Sequence, residues 1–378
     1  MSMDMMEVDD SIPDDLEEYY MGNEHRGHVL IIANEKFDSP QIENRYAAKQ
    51  DVRKMKALFE ALDFKVTYFM DLKAHEMKQE IENVSKSPDN RTADCFVLVI
   101  SSHGHEEQVT NRVNGEEVWR QAIKGVDDAI KGVDDKRHIF VDNILEMFDD
   151  KINKACTLKG KPKLFFLQAC RSGHLKDRDG ILGEYDTGTN IKVSVTNLSN
   201  VQPTTDEFRD DKKFINAVDR LAGSNQSDLP PDSDIQALHG FAQLTLQEPK
   251  DHVTPIPCPE DCLVMYPAMP GKLSFRFEGI GSYMISYMFL EKFRNLLLQE
   301  KCDILQYLTF VSHAMAKTEI EFDPTVGLDA DKQKMLRDNM PFKITACLDH
   351  RLTKILKFHP KPNAVWQKLK EEGASFKF

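Results

Sequence analysis

The chain is 378 residues long, enough for two or three units or for one large domain with insertions. Its 49 basic and 62 acidic residues leave a net charge of −13, which makes it a poor binder of nucleic acid or anionic membrane. Apolar residues make up 41%, enough for a sizeable core, and global disorder and collagen-like or low-complexity classes are excluded.

No apolar run reaches the about 18–20 residues that a membrane helix needs. The first 20 residues, MSMDMMEVDDSIPDDLEEYY, are acidic and lack the apolar core of a signal peptide. Seven cysteines, an odd number, then read as free thiols in a reduced, cytoplasmic chain.

Residues 1–27 are acidic and aperiodic and read as a short disordered leader. HVLIIAN (28–34) reads as a buried strand. Residues 46–62 carry Val52, Met55, Leu58, Phe59 and Leu62 on one helical stripe. A strand is expected at 64–70, and a helix at 74–86 through Met77, Ile81 and Val84. CFVLVI (95–100) is a strand apolar on both faces. A helix is expected at 138–152 through Ile144, Leu145, Phe148 and Ile152, and a strand at 164–169. Strands alternating with helices predict an α/β fold, a mainly parallel sheet flanked by helices on both faces.

AIKGVDD occurs at 122–128 and again at 129–135. One tandem pair does not make a solenoid. It reads as a slipped duplication lengthening a surface loop, because loop entropy grows slowly with length. Residues 177–254 are rich in Asp, Asn, Ser, Thr and Pro, with weak periodicity apart from a short helical pattern near 212–222. This stretch reads as a linker. Order resumes with a strand at 262–266, a helix at 282–299, another at 303–317 and a last strand at 352–358.

Two strand ends stand out. CFVLVI exits into Ser101-Ser102-His103-Gly104-His105, and KLFFLQA exits into Cys170-Arg171-Ser172-Gly173. In open α/β sheets ligands bind beyond the carboxyl ends of the strands. A thiol and an imidazole meeting there match a nucleophile with its proton-transfer partner, and the amides of Gly104 and Cys170 are candidate oxyanion donors. In isolation a cysteine after an apolar strand is a small core residue, and a histidine beside glycine is a loop residue. At equivalent ends of successive strands the functional reading is the stronger.

Gln168-Ala169-Cys170-Arg171 resembles the nucleophile motif of the caspases, Q-A-C-[RQG]-G, and Ser102-His103-Gly104 resembles their histidine motif. The chain departs from the pattern at Ser172, where the family has glycine. It departs again in the His103–Cys170 separation of 67 residues, against about 50. Arg45 with Asp51 is similar to the family's first S1 arginine and the helix after it. Ile256-Pro257, Asp261, Tyr266, Pro270-Gly271 and Leu273-Ser274-Phe275-Arg276 resemble the start of the small subunit, as do Gly281-Ser282-Tyr283 and Leu352-Thr353-Lys354 further on.

The resemblance implies a six-stranded caspase-like sheet, a large subunit over 28–176, a linker over 177–254 and a small subunit over 255–378. It implies an S1 pocket of Arg45, Gln168 and Arg276, with Ser274 beside it, selecting Asp in protein substrates. It implies cleavage in the linker by an upstream caspase, with Asp186, Asp228, Asp232 and Asp234 as candidates. A homodimer through the last strand and, from the short leader, an executioner-type zymogen of apoptosis are also implied. No cofactor or metal is expected: Cys258 and Cys262, in C-x3-C spacing, lack a second ligand pair and read as core. Phe277, Glu278 and Leu273 bear on the S4 and S2 subsites, and 319–340 resembles an executioner-type loop. The alternative is a catalytically weak homologue acting as a regulatory binding partner, to which Ser172 and the long 105–137 segment point. A basic-specific metacaspase or paracaspase is opposed by Arg45 and Arg276.

Overall fold

A computed structural model of the chain describes residues 17–40, 42, 44–110, 115, 117–127, 137–171, 258–270, 272, 274–277, 279–318, 344–359 and 361. The elements run β1 (His25–Ala33), α1 (Ala48–Ala61), β2 (Lys65–Met70), α2 (Ala74–Ser85), β3 (Ala93–Ser101), β4 (Gly104–Thr110), β5 (Glu117–Lys124) and β6 (His138–Phe140). They continue with α3 (Val141–Glu146), β7 (Lys163–Gln168), β8 (Cys262–Tyr266), β9 (Arg276–Phe277) and β10 (Gly281–Ser282). The last are α4 (Tyr283–Met288), α5 (Glu291–Leu298), α6 (Ile304–Lys317) and β11 (Cys347–His350).

The main sheet has six strands in the order β11-β8-β7-β3-β1-β2. Five run parallel, and β11 pairs antiparallel with β8. Central β3, ADCFVLVIS, is buried along its whole length, as a strand covered on both faces must be. Its alternate residues feed two cores. Cys95, Val97 and Val99 pack with Met55 and Phe59 of α1 and with α4–α6, while Phe96, Leu98 and Ile100 pack with Met77 and Ile81 of α2 and Ile144 of α3. The expected α/β layering is therefore the observed one. Among the described residues no helix is long and apolar enough to cross a membrane.

Several boundaries differ from the sequence expectation, each for a packing reason. Residues 17–27, read as leader, belong to the fold. Glu18 bridges Ile355, Tyr19 is buried with its hydroxyl on Asp261, and β1 begins at His25. The helix expected at 138–152 shrinks to α3, because His138–Phe140 pairs with β5 as a strand, and Ile152 is 62% exposed. The helix expected at 282–299 breaks between α4 and α5. The Tyr307 hydroxyl donates to the Met288 carbonyl, so a tertiary bond takes up the end of α4 and the chain turns extended at Leu290. The last strand is β11, ahead of 352–358. That later stretch buries Leu356 and Phe358 without a ladder, making two backbone bonds at Ile355, the bridge to Glu18, and one at Leu356.

The 105–137 segment is more than a long loop: it supplies most of β4 and all of β5 to a three-stranded sheet that β6 completes. The first repeat copy is part of it. Ala122 and Ile123 are fully buried in β5, Val126 hydrogen-bonds Leu72 and Asp38 through its backbone, and Asp127 Oδ1 accepts the first amide of α2. Gly125 sits so close to Lys73 and Ala74 that a Cβ would be 2.1 Å from the Ala74 nitrogen. The second copy, 129–135, lies outside the described residues. So do the linker, the 212–222 pattern and the 319–340 loop.

Candidate active site

Strand order reverses at β1, whose sequence neighbour β2 lies on one side and β3 on the other, and the carboxyl ends of β1, β3 and β7 meet at one edge. Ser101 of β3 is in register with Gln168 of β7. His103 and Cys170 each follow that pair by two residues, on neighbouring strands about 4.8 Å apart. Past the register pair, the Ser102 amide donates to the Gln168 carbonyl at 3.2 Å, and a tight Ala169-to-Leu167 bond lifts Cys170 off β7. Gly104 lies directly on that turn: a Cβ there would be 2.7 Å from the Cys170 carbonyl oxygen and 2.8 Å from the Ala169 Cβ.

His103 is buried, its ring against Phe37 with centroids 4.7 Å apart. Its carbonyl accepts from Lys124 of β5 at 2.9 Å. Asn34, at the end of β1, donates to Ser102 Oγ and to the Lys124 carbonyl, pinning the turn that presents His103. Cys170 is 7% exposed, its sulfur 3.3 Å from Ser274 Oγ and 3.8 Å from the Ser274 carbonyl. Burial holds each of the other six thiols above the ordinary range: Cys95 to about 12, Cys258 and Cys302 to about 11, and Cys156, Cys262 and Cys347 upward as well. Such thiols are poor nucleophiles.

The guanidiniums lie beside this pair. Arg45, in the β1–α1 loop, is 2% exposed and donates to the Asn34 carbonyl and to Ser101 Oγ, both at 3.0 Å. Its Nε is buried with no hydrogen-bond partner among the described residues. Burial first, and the charge of Arg276 second, push Arg45 well below the ordinary guanidinium range. Arginine keeps its proton in proteins, so the cost of two buried cations appears as an appetite for an anion. Arg276 is buried on β9, and Gln168 is buried with an Oε1 that has no partner among the described residues.

Asp51, used at the level of sequence only as a spacing marker, joins the two halves. Its Oδ1 accepts the Ser282 amide at 2.7 Å, and its Oδ2 accepts the hydroxyls of Ser101 (2.7 Å) and Ser282. Since Ser101 also holds Arg45, the network runs from the guanidinium to the start of α4. Lys54, one turn on, donates to the Ile280 carbonyl and Ser286 Oγ. No local sequence signal marks partners 231 residues apart.

The structure thus brings together His103, Gly104, Cys170, Ser274, Gln168, Arg45 and Arg276. Asp186, Asp228, Asp232, Asp234, Ser172, Leu273 and Glu278 lie outside the described residues.

The family model "Caspase domain" matches residues 26–348. This chain belongs to the caspase family. Among its caspase relatives, Caspase-1 of Drosophila melanogaster is 25% identical over 348 residues, 92% of this chain and 77% of the relative. Caspase-9 of Homo sapiens is 27% identical over 269 residues, 71% and 51% of the two chains. The crystal structure of Caspase-1 from Spodoptera frugiperda shares the caspase fold at a TM-score of 0.54 and 22% identity, covering 94% of this chain and 99% of that one. By family this caspase chain is a cysteine-type endopeptidase.

Proposed function

We propose that the chain hydrolyses peptide bonds after Asp in protein substrates, with Cys170 as nucleophile. The observation that carries this reading is the burial of two mutually repelling guanidiniums, Arg45 and Arg276, beside the thiol that follows the end of β7. A substrate carboxylate relieves that repulsion and gains bidentate donors, while a lysine or arginine side chain increases it. The Gln168 amide, free to turn its NH2 toward the same anion, completes the pocket, and Ser274 lines its approach to the sulfur.

In the reaction the Cys170 thiolate adds to the main-chain carbonyl carbon of the substrate Asp. The amides of Gly104 and Cys170 bind the oxyanion, the C–N bond breaks, and the protonated His103 gives its proton to the departing amine. Water then loses a proton to His103 and adds to the thioester, and collapse returns the carboxylic acid and the thiolate.

The finer reading is an executioner-type zymogen of apoptosis acting in the cytoplasm. An upstream caspase opens the linker at one of Asp186, Asp228, Asp232 or Asp234, and two copies dimerise along β11, the strand at the sheet edge next to β8. The test is a tetrapeptide panel varying the residue before the scissile bond, run on the purified chain and on Cys170→Ala. The expected result is turnover with Asp alone, abolished in the variant. Turnover with basic residues, or activity that survives the variant, would contradict the reading.

A further inference from the structure

The small sheet β4-β5-β6 carries a cluster that the peptidase reading leaves unused. His105 and Glu107 are two residues apart on β4 and share one face of the strand. Across β5 the residue in register with His105 is Ala122, and Ala122 is in register with Phe140 of β6, two residues from His138. The small alanine between the outer strands lets side chains from β4 and β6 meet over it. The rings of His105 and His138 are 5.5 Å apart, edge to face.

Glu107 Oε2 lies 3.0 Å from His138 Nε2 and 3.7 Å from His105 Nε2, and the three donor atoms all fall within 4.8 Å of one another. Donors held about 2.0–2.1 Å from a tetrahedral zinc ion sit about 3.3–3.4 Å apart. The observed spacings straddle that value, so small side-chain rotations close the set. Arg120 is in register with Glu107, yet its guanidinium is taken by Asp142, with bonds of 2.7 and 2.6 Å, and stacks on Phe140. Glu107 is therefore left facing the histidines. Lys124 pairs with His138 in the ladder, so two neutral imidazoles alone would set a bound cation against a like charge. The carboxylate offsets it. Half-buried nitrogen and oxygen donors of this kind suit zinc and its borderline neighbours better than magnesium or calcium.

We infer that His105, Glu107 and His138 form a divalent transition-metal site of the zinc class, with the fourth position left to water. The site is distinct from the sulfur of Cys170, but His105 adjoins Gly104, which rests on the Cys170 backbone. Metal binding here ties the start of β4 to β6 and so steadies the strand on which that glycine sits.

The test uses the full-length chain carrying Cys170→Ala, which removes the catalytic thiol as a rival ligand. Zinc is titrated by calorimetry and cobalt(II) by absorption, in that background and with Glu107→Gln or His138→Gln added. The expected result is one site, a cobalt spectrum with tetrahedral d–d bands and no thiolate charge-transfer band, and an affinity at least about tenfold weaker in each variant. Zinc should also raise the melting temperature of the background protein and not of the variants. Glu107→Gln preserves side-chain volume, so it serves if His138→Gln loosens the contact with Phe140. An unchanged affinity in a folded Glu107→Gln protein, a thiolate band, or no saturable binding overturns the inference.

Discussion

Gly104 is the position at which a single methyl group tests the strand-end geometry. In Gly104→Ala the new Cβ would lie 2.7 Å from the Cys170 carbonyl oxygen and 2.8 Å from Ala169. Ordinary contact begins near 3.4 Å, so β4 and the Cys170 turn must separate by about 0.7 Å. Both neighbours are main chain or next to it, and no flexible side-chain end can move aside. The separation falls between the imidazole strand and the thiol strand, where misplacement by about 1 Å costs about 100-fold in rate. The expected loss is about 10- to 100-fold in kcat with little change in KM, and overpacking should cost about 1–3 kcal/mol in stability. The assay is steady-state hydrolysis of an Asp-containing tetrapeptide, with urea denaturation of the same samples. Gly160→Ala is the control for strain away from the site: a Cβ there meets nothing within 4 Å, so the positive φ of 68° should cost stability and leave kcat unchanged. A folded Gly104→Ala enzyme with kcat within about twofold of wild type would refute the reasoning.

Two further perturbations address the network under the pocket. Asp51→Ala strips the acceptor from Ser101, from the Ser282 amide and hydroxyl, and leaves Lys54 and Arg45 without their nearest anion; a loss of about 3–5 kcal/mol is expected in urea denaturation. A loss below about 1 kcal/mol would show that the network does not hold the two halves together. Burial lowers Lys54 from 10.5 to about 7, so between those values the unfolded chain binds the extra proton and stability rises with pH. Lys54→Met should flatten that rise between about pH 7 and 10 in thermal melts; a slope equal to wild type would assign the rise elsewhere.

What the sequence disclosed follows from where burial is apolar. β3 and β8 are continuous apolar runs and announce themselves, and the residues that leave the ends of β3 and β7, His103 and Cys170, inherit that clarity. The β4-β5-β6 sheet gives no such signal. Its β4 strand, GHEEQVT, buries Glu106, and β5 buries Gln121, so polar side chains occupy the inward positions and the two-residue apolar period is missing. The break between α4 and α5 was equally silent, because the apolar stripe runs straight through it and the capping hydroxyl comes from Tyr307. The duplication hides its structure in a different way. Identical copies carry identical propensities, and nothing local marks that the first copy pairs with Leu72, Ala74 and Asp38. In the proposed pocket, the family-like settings of Arg45 and Arg276 can be read from the sequence. The bond of Ser101 to Arg45, and of Asp51 to Ser101, cannot, because a long-range partner leaves no local pattern.

The most direct measurement treats the chain with a peptidyl electrophile bearing Asp at its reactive end, and with its Asn twin, and maps the adduct by mass spectrometry. The account predicts a single adduct on Cys170 with the Asp reagent, none on the six thiols that burial holds high, and strongly slowed labelling with Asn or in Arg276→Gln. Equal labelling by the Asn twin, or an adduct on another cysteine, would contradict it.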